Sequence, residues 1–330
     1  MSSLKLCLLL CVCFALKIHE SRSFNLSTGG LSTKNRPRSI TKIAATRRSV
    51  TKLAATTRSD FLRSAVVLPL LPLLPSQTLA ASPKTPVVLV LGASGRSGMS
   101  TIEACLKRSI PCTSATRTGT DPFKVVKLDK SNYTPYPEPV DVKDVEAIKA
   151  VIAAVNPTAV VYAASASKKG GNANEVDYLG VKNVASVLPK STRLILISAL
   201  AVDRPESQGY KMTNSMGGVV DGIMYEKFRG EEEVRKRVKD YVIVRPGVLM
   251  SGKGGGPVEL AQGDFLGGGL SREELAECVV DAVEASESDF TVEVYRKKTR
   301  TALQKEFEGK EGGILSGESG AGRFKGVVKD

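Results

Sequence analysis

The chain of 330 residues carries a net charge of +13, and 42% of its residues are hydrophobic. This length accommodates one large domain or two ordinary ones. Twelve of the 47 Lys and Arg but only two of the 34 Asp and Glu lie in residues 1–82, so the basic excess belongs mainly to the N-terminal region. The rest of the chain has the charge balance of an ordinary soluble enzyme and no basic patch interleaved with aromatic residues. These features argue against a nucleic-acid partner.

The histidine and cysteine content excludes several classes of catalytic site. The only histidine, His19, lies in a segment that we interpret below as a removable leader. The remaining chain therefore cannot form a Ser-His-Asp or Cys-His site and offers no histidine ligand to a metal. Outside the leader, Cys105, Cys112 and Cys278 lack the spacing of a metal site. We expect them to be buried or incidental thiols, and we expect no bound metal.

The N-terminal region predicts a leader with two parts. Residues 1–23 contain an apolar run from Leu6 to Leu16, which is typical of a signal-peptide core and short for a bilayer span. Residues 24–82 begin with a stretch that is rich in Ser, Thr, Ala, Lys and Arg and has no acidic residue before Asp60. That composition is typical of a transit peptide.

A signal peptide followed by a transit peptide that starts with Phe24 resembles the bipartite leaders of algae with complex plastids. This resemblance implies that the mature protein resides in the plastid (chloroplast); the alternative is a secreted protein with a basic linker. The second apolar run, "VVLPLLPLLPSQTLAAS", resembles a thylakoid-transfer signal, although Ser59 replaces the second arginine of a twin-arginine pair. Cleavage after Ala80 or Ala81 would leave the protein in the thylakoid lumen or on the thylakoid surface, whereas removal with the transit peptide would leave it in the stroma. Both alternatives stay open.

Short apolar runs alternate with longer helical patterns over residues 83–307. The predicted strands are Val87–Leu91, Cys112–Thr116, Thr158–Ala164, Arg193–Ser198 and Tyr241–Arg245. The predicted helices are Gly98–Lys107, Lys143–Val155, Asn174–Leu188, Asp221–Val238 and Arg272–Ala285. This order predicts an α/β fold, namely a single Rossmann-type doubly wound parallel sheet with a small C-terminal substrate or lid region. The Gly- and Ser-rich residues 308–330 are expected to form a flexible tail.

The stretch "VVLVLGASGRSG" places three glycines between the first strand and the first helix. Gly92 permits a tight turn out of the strand, Gly95 lets backbone approach a pyrophosphate, and Gly98 lets the helix pack closely on the sheet. The helix N-terminus then offers free N–H groups and a partial positive charge to phosphates. A glycine-rich turn without a ligand is the alternative. The strand before the loop and the helix after it favour dinucleotide binding.

The remaining residues of the loop and the end of the second strand bear on the cofactor. Ser94 and Ser97 belong to the phosphate-binding loop. An NAD enzyme places an acidic residue at the end of the second strand, where it binds the ribose 2′-hydroxyl. Here Arg117 stands in that region, and a guanidinium can grip a 2′-phosphate. Arg96 is a second candidate for this contact. Both are alternatively solvated surface arginines, but the pattern favours NADP(H).

The G-x-x-G-x-x-G spacing resembles that of the extended and atypical short-chain dehydrogenase/reductases. The segments "VDVKD", "VVYAASAS", "VDYLGVKNV", "LILISALAV", "YEKFRGEEEVRK" and "DYVIVRPGVL" follow in the order found in NmrA-like and plastid NADP-binding members. The resemblance covers about residues 86–296. It implies adenine contacts by Asp141 and Val142 and ribose contacts by Ala163 and Ala164.

The resemblance also identifies candidate catalytic residues. Reductases of this superfamily use a Ser together with Tyr-x-x-x-Lys, in which Tyr transfers the proton and Lys lowers its pKa and holds the ribose. Ser198 and Lys227 match the Ser and the Lys, but Ile223 stands where the Tyr belongs. The pair Tyr178 and Lys182 has the same spacing but precedes Ser198, so we interpret it as a decoy.

Two tyrosines are candidate substitutes for the missing acid. Tyr225 lies only two residues before Lys227, which on a helix directs it about 200° away. Tyr210 is expected in a loop that can swing inward. For both tyrosines, the alternative to a role as proton donor is a packing role or a position on the surface.

Two functions therefore stay open. The protein is either an NADP(H)-dependent oxidoreductase that transfers hydride to an unidentified small molecule, or a non-catalytic NADP(H)-binding scaffold or redox sensor. The "SGKGGGPVEL" loop is either a lid over a substrate or an element that binds a protein or thylakoid-surface partner. The sequence does not specify the substrate or the oligomeric state.

Overall fold

The computed structural model describes residues 85–123, 129–215, 222–302, 314–315, 319–320 and 322–330. The predicted leader and part of the predicted tail lie outside these residues. The helices are α1 (Arg96–Lys107), α2 (Val145–Val155), α3 (Val181–Val187), α4 (Gln208–Ser215), α5 (Ile223–Arg237) and α6 (Arg272–Glu284). A π-helical turn, Asn174–Gly180, leads into α3, and a short 3₁₀-helix spans Lys297–Thr299.

Most of the strands join one twisted sheet. They are β1 (Val88–Leu91), β2 (Cys112–Ala115), β3 (Tyr133–Pro135), β4 (Ala159–Tyr162), β5 (Arg193–Ile197), β6 (Tyr241–Pro246), β7 (Val248–Met250), β8 (Val258–Ala261), β9 (Leu266–Gly267), β10 (Gly269–Ser271), β11 (Phe290–Arg296), β12 (Thr301–Ala302) and β13 (Ile314–Leu315). The large sheet has the order β3-β2-β1-β4-β5-β6-β11-β8-β13. The strands from β3 to β11 run parallel, and β8 pairs antiparallel with both of its neighbours, β11 and β13. Two small sheets pair β7 with β10 and β9 with β12.

Helices cover both faces of the sheet, because successive strand residues point to opposite sides. Val88 and Val90 of β1 belong to the apolar cluster that includes α1 and α6. Leu89 and Leu91 belong to the cluster that includes α2, α3 and α5. Burial on both faces explains why these strands read as continuous apolar runs. The predicted Rossmann-type doubly wound sheet is confirmed.

Every strand and helix predicted from the sequence corresponds to an observed element, with ends that differ by at most two residues. The helix predicted over Asn174–Leu188 consists of the π-helical turn followed by α3. The sequence analysis predicts no strand at β3 or at β7 to β13, and no helix at α4. Among the residues that the structure describes, no helix is both long and apolar enough to cross a membrane. Cys105, Cys112 and Cys278 are free and buried, as expected.

The end of the chain differs from the expectation. Residues 308–330 were predicted to form a flexible tail, but residues 322–330 pack against the domain. The ring of Phe324 is fully buried, and its centroid lies 5.3 Å from that of Phe290. The Asp330 carboxylate accepts hydrogen bonds from the hydroxyl of Thr291 at 2.6 Å and from Arg235 at 3.0 Å. An apolar anchor and a paired charge hold this segment, so the prediction is wrong for residues 322–330.

Candidate functional site

The glycine loop joins β1 to α1 with the geometry that its sequence predicts. Gly92 has a φ of +77°, and a Cβ there would lie 2.7 Å from the backbone of Ala164. A Cβ on Gly98 would lie 2.5 Å from the carbonyl oxygen of Gly92. Larger residues at either position would separate α1 from the sheet or push β4 away. Gly98 therefore lets α1 pack against the turn after β1, and Gly92 lets that turn pack against the end of β4.

The N-terminus of α1 is prepared for an anion. Gly95 is its N-cap and provides no side-chain cap, and the first turn contains no acidic residue. A Cβ on Gly95 would have only the Gly92 carbonyl oxygen within 4 Å, at 3.2 Å, so this glycine keeps the approach to the helix open. Free N–H groups and the helix dipole favour phosphate at such a terminus. The loop thus fits the pyrophosphate of a dinucleotide.

A cleft opens beside this loop at the carboxyl ends of β1, β2 and β4. It encloses about 580 Å³ of open space, including solvent. Its lining includes seven of the residues predicted to bind the cofactor: Gly92, Ser94, Gly95, Arg117, Val142, Ala163 and Ala164. Carboxyl ends of parallel strands are where α/β sheets bind ligands. The structure therefore gathers most of the residues predicted to bind the dinucleotide around one cleft.

The other predicted cofactor residues lie close to this lining but are not part of it. The Asp141 carboxylate accepts a hydrogen bond from the backbone of Lys143 at 3.0 Å, which stabilises the turn that carries Val142. Ser97 lies in the first turn of α1, where its carbonyl accepts the hydroxyl of Thr101. Arg96 begins α1 and lies near the first residue of α6, Arg272. Burial, and then the positive charge of Arg96, lower the pKa of Arg272.

Arg117 is exposed at the rim of the cleft. Its guanidinium donates a hydrogen bond to the backbone carbonyl of Lys169, across the cleft from β2. Asp121, the nearest acidic residue along the chain, is engaged elsewhere: it accepts the hydroxyl of Tyr133 at 2.6 Å and pairs with Lys130 at 3.3 Å. The end of β2 therefore presents a cation to the cleft.

A second, narrow cavity lies beside the cleft, and Ala164 lines both. It is too narrow to admit a water molecule, and its lining includes Asp177, Ser198 and Lys227. The structure thus brings both predicted catalytic residues to one place. The ammonium of Lys227 pairs with the carboxylate of Asp177 at 2.7 Å, and both side chains are largely buried.

Ser198 follows β5 and is directed into a buried charge network. Its hydroxyl lies 2.5 Å from the Glu231 carboxylate. Arg245 donates two hydrogen bonds to Glu231, at 3.0 and 2.7 Å, and Arg235 donates one at 3.0 Å. A carboxylate held by two arginines only accepts hydrogen bonds, so the hydroxyl proton of Ser198 is committed to Glu231. What Ser198 offers to any other group is a hydrogen-bond acceptor.

Sequence reasoning missed Asp177 and Glu231. Glu231 lies four residues after Lys227 on α5, so helical spacing alone could have placed it one turn away. Asp177 occurs in the quoted segment "VDYLGVKNV" but pairs with a lysine far along the chain, and no local pattern marks it. Of the described residues, no three His, Cys, Asp or Glu side chains form a group that could hold a metal.

The position of the missing tyrosine is apolar. Ile223 is buried in a cluster with Ala201, Val202 and Met224. Tyr225 is 55% exposed, which agrees with a surface position. Tyr210, expected in a loop, lies on α4 and packs against the Ile223 cluster.

Tyr178 and Lys182, interpreted above as a decoy, make other contacts in the structure. The guanidinium of Arg229 stacks on the ring of Tyr178 at 3.6 Å from its centroid, and Lys182 lies 5.8 Å from it.

Comparisons with known proteins agree with this geometry. The model of a family described as NAD(P)H-binding matches residues 92–286, more than half of the chain. No curated protein sequence matches. The oxidoreductase YlbE from Lactococcus lactis superposes with a TM-score of 0.53 at 16% identity, over 68% of this chain and 95% of that one.

Two further solved structures share the fold. For ChuY, an anaerobillin reductase from Escherichia coli O157:H7, the TM-score is 0.52 at 21% identity, over 65% of this chain and 99% of that one. A short-chain dehydrogenase/reductase from Veillonella parvula superposes with a TM-score of 0.53 at 16% identity, over 65% of this chain and 96% of that one. The chain therefore belongs to the NAD(P)H-binding family, and its fold is that of the short-chain dehydrogenase/reductases.

Proposed function

We propose that the protein is an NADP(H)-dependent oxidoreductase that transfers hydride between the nicotinamide and a small conjugated molecule. One observation carries this proposal: the cleft with the glycine loop and the cavity with Lys227 meet at Ala164. A dinucleotide whose pyrophosphate lies on α1 would place its nicotinamide half toward Lys227.

Each part of the site has a distinct task in this proposal. The N-terminus of α1 holds the pyrophosphate, Val142 packs against the adenine, and Arg117 binds the 2′-phosphate through charge-assisted hydrogen bonds. Lys227 has three N–H donors, of which Asp177 takes one, so two remain for ribose hydroxyls. The bound nicotinamide supplies or accepts the hydride.

The apolar position 223 restricts the substrate class. General acid–base help is typically worth about 10²–10⁴-fold in rate. Ile223 provides no proton, and the hydroxyl proton of Ser198 is committed to Glu231. Substrates whose reduced product needs no strong acid, such as quinones and other conjugated acceptors, are therefore favoured over simple ketones.

Two measurements on the full chain test this proposal. Calorimetry should show that NADPH binds more tightly than NADH, and absorbance should show NADPH oxidation when a quinone is present. NADPH binding without oxidation of any acceptor would instead identify a scaffold or redox sensor. Failure to bind either cofactor would refute the proposed function.

We also propose that the protein acts in the plastid, on the strength of the leader composition. The features that support this proposal are the acid-free transit-like stretch and the phenylalanine that begins it. A thylakoid-surface or protein partner is compatible with that location.

A further inference from the structure

Asp177 is a buried carboxylate with three hydrogen-bonding partners. It lies in the π-helical turn and is 2% exposed. One oxygen accepts the ammonium of Lys227 at 2.7 Å and the hydroxyl of Ser165 at 2.8 Å. The other accepts the backbone N–H of Ala166 at 2.8 Å. Asp177 therefore ties Lys227 to the segment after β4, which forms the floor of the cofactor cleft.

The surrounding structure keeps this ion pair in place without a ligand. Gly230 of α5 packs on the π-helical turn, and a Cβ there would lie 2.4 Å from the carbonyl oxygen of Asp177. This close approach brings Lys227, one turn earlier on α5, within reach of Asp177. π-Helical turns often occur at functional sites.

The other charges near the pair are balanced among themselves. Glu226 pairs with Arg229 at 2.9 Å on the same helix. Glu231, on the far side of the cavity, is held by Arg245 and Arg235. The local charge beside Ala164 therefore depends on Lys227 and Asp177, which cancel.

This cancellation matters because a nicotinamide ring is positively charged when oxidised and neutral when reduced. An unpaired Lys227 would repel the oxidised ring and leave the reduced ring unaffected. Charges in partly buried sites interact far more strongly than charges in water. The Asp177 carboxylate removes that discrimination.

We propose that Asp177 is a positioning residue that neutralises Lys227 and thereby sets the relative affinity of the protein for NADP⁺ and NADPH. This inference rests on the proposed function, because it requires that the nicotinamide lie near Lys227. The ion pair would assist turnover, because an enzyme must release the cofactor in one redox state and bind it in the other. A sensor of the NADPH/NADP⁺ ratio would need the opposite property.

The test is a double-mutant cycle with calorimetry on the full chain, in which Kd is measured for NADP⁺ and for NADPH. Asp177→Asn, which is nearly isosteric, should weaken NADP⁺ relative to NADPH roughly tenfold, the effect of one charge at short range in a partly buried site. Lys227→Gln should weaken both cofactors through the lost ribose contact but shift the ratio in the opposite direction. The double variant should restore the original ratio.

Glu146→Gln is the matched control. It removes one carboxylate from an exposed ion pair with Lys149 on α2 and should leave the ratio unchanged. A purely structural role for Asp177 would lower both affinities together and would give no reversal between the two single variants, which would overturn the inference. Absence of binding to either cofactor by the unmutated protein would instead refute the proposed function.

Discussion

The preference for NADPH over NADH should depend on Arg117. The guanidinium of this arginine lies at the exposed rim of the cleft, where it donates a hydrogen bond to the backbone carbonyl of Lys169. Hydrogen bonds to charged groups contribute about 1.5–3 kcal/mol. Because solvent screens exposed charges, we expect a smaller contribution here, about 1–2 kcal/mol. This corresponds to about 5- to 30-fold in Kd.

The assay is calorimetric titration of the unmutated protein and of Arg117→Ala with NADPH and NADH. The variant should lose most of the NADPH preference while its affinity for NADH stays nearly constant, because NADH has no 2′-phosphate. Arg237→Ala serves as the control, since Arg237 lies at the last turn of α5 and pairs with Glu233. Equal affinity of the unmutated protein for NADPH and NADH would refute the reasoning.

Three further predictions concern the missing acid, the pH dependence of stability and the leader. Ile223→Tyr restores Tyr-x-x-x-Lys with Lys227 and should raise the reduction of simple ketones by up to about 10²-fold; an unchanged rate in a folded variant that still binds NADPH would contradict this. Burial, and then a hydrogen bond with a neighbouring aspartate, raise the pKa of Asp264 to about 9. Because this value exceeds that of the unfolded chain, the proton stabilises the folded state and stability falls as pH rises toward 9. Between about pH 6 and pH 9, urea denaturation should show a smaller loss of unfolding free energy in Asp264→Asn than in the unmutated protein. Equal losses in the two proteins would count against a proton on Asp264. A fluorescent fusion of residues 1–82 should enter the plastid and its Phe24→Ala form should not, whereas secretion of the unmutated fusion would disprove plastid targeting.

The glycine loop and the central strands could be predicted because local chemistry dictates them. Gly92 and Gly98 are required by backbone contacts of 2.7 and 2.5 Å that no side chain tolerates. The strands are buried on both faces, so their residues are apolar without interruption.

The missed elements lack such a local signal. Strand β11 contains Glu293, whose charge breaks the apolar pattern, although burial raises its pKa to about 8 within the sheet. Helix α4 has no buried residue and therefore no apolar periodicity to detect. Phe324 is a single aromatic residue in a Gly-rich segment, and only the packing against Phe290 shows that it anchors the chain.

In the candidate site, too, some residues have a local sequence signal and others do not. Lys227 and the glycines follow from motif spacing, whereas Asp177 becomes visible only when the π-helical turn is placed against α5. The hydrogen bond from Ser198 to Glu231 could not be predicted either, because the direction of a hydroxyl depends on which carboxylate the fold brings near it. Sequence patterns therefore predicted the residues that line the cleft more completely than the contacts made by Lys227 and Ser198.

The most direct test of the oxidoreductase proposal is NADPH oxidation by the full chain with 1,4-naphthoquinone and, separately, with cyclohexanone, corrected for the reaction without protein. We expect NADPH consumption with the quinone and at least about tenfold slower consumption with the ketone, because the site lacks a proton donor at position 223. Vigorous reduction of cyclohexanone would show that another group supplies the proton. NADPH binding without consumption in either reaction would contradict the proposal that this cleft performs hydride transfer.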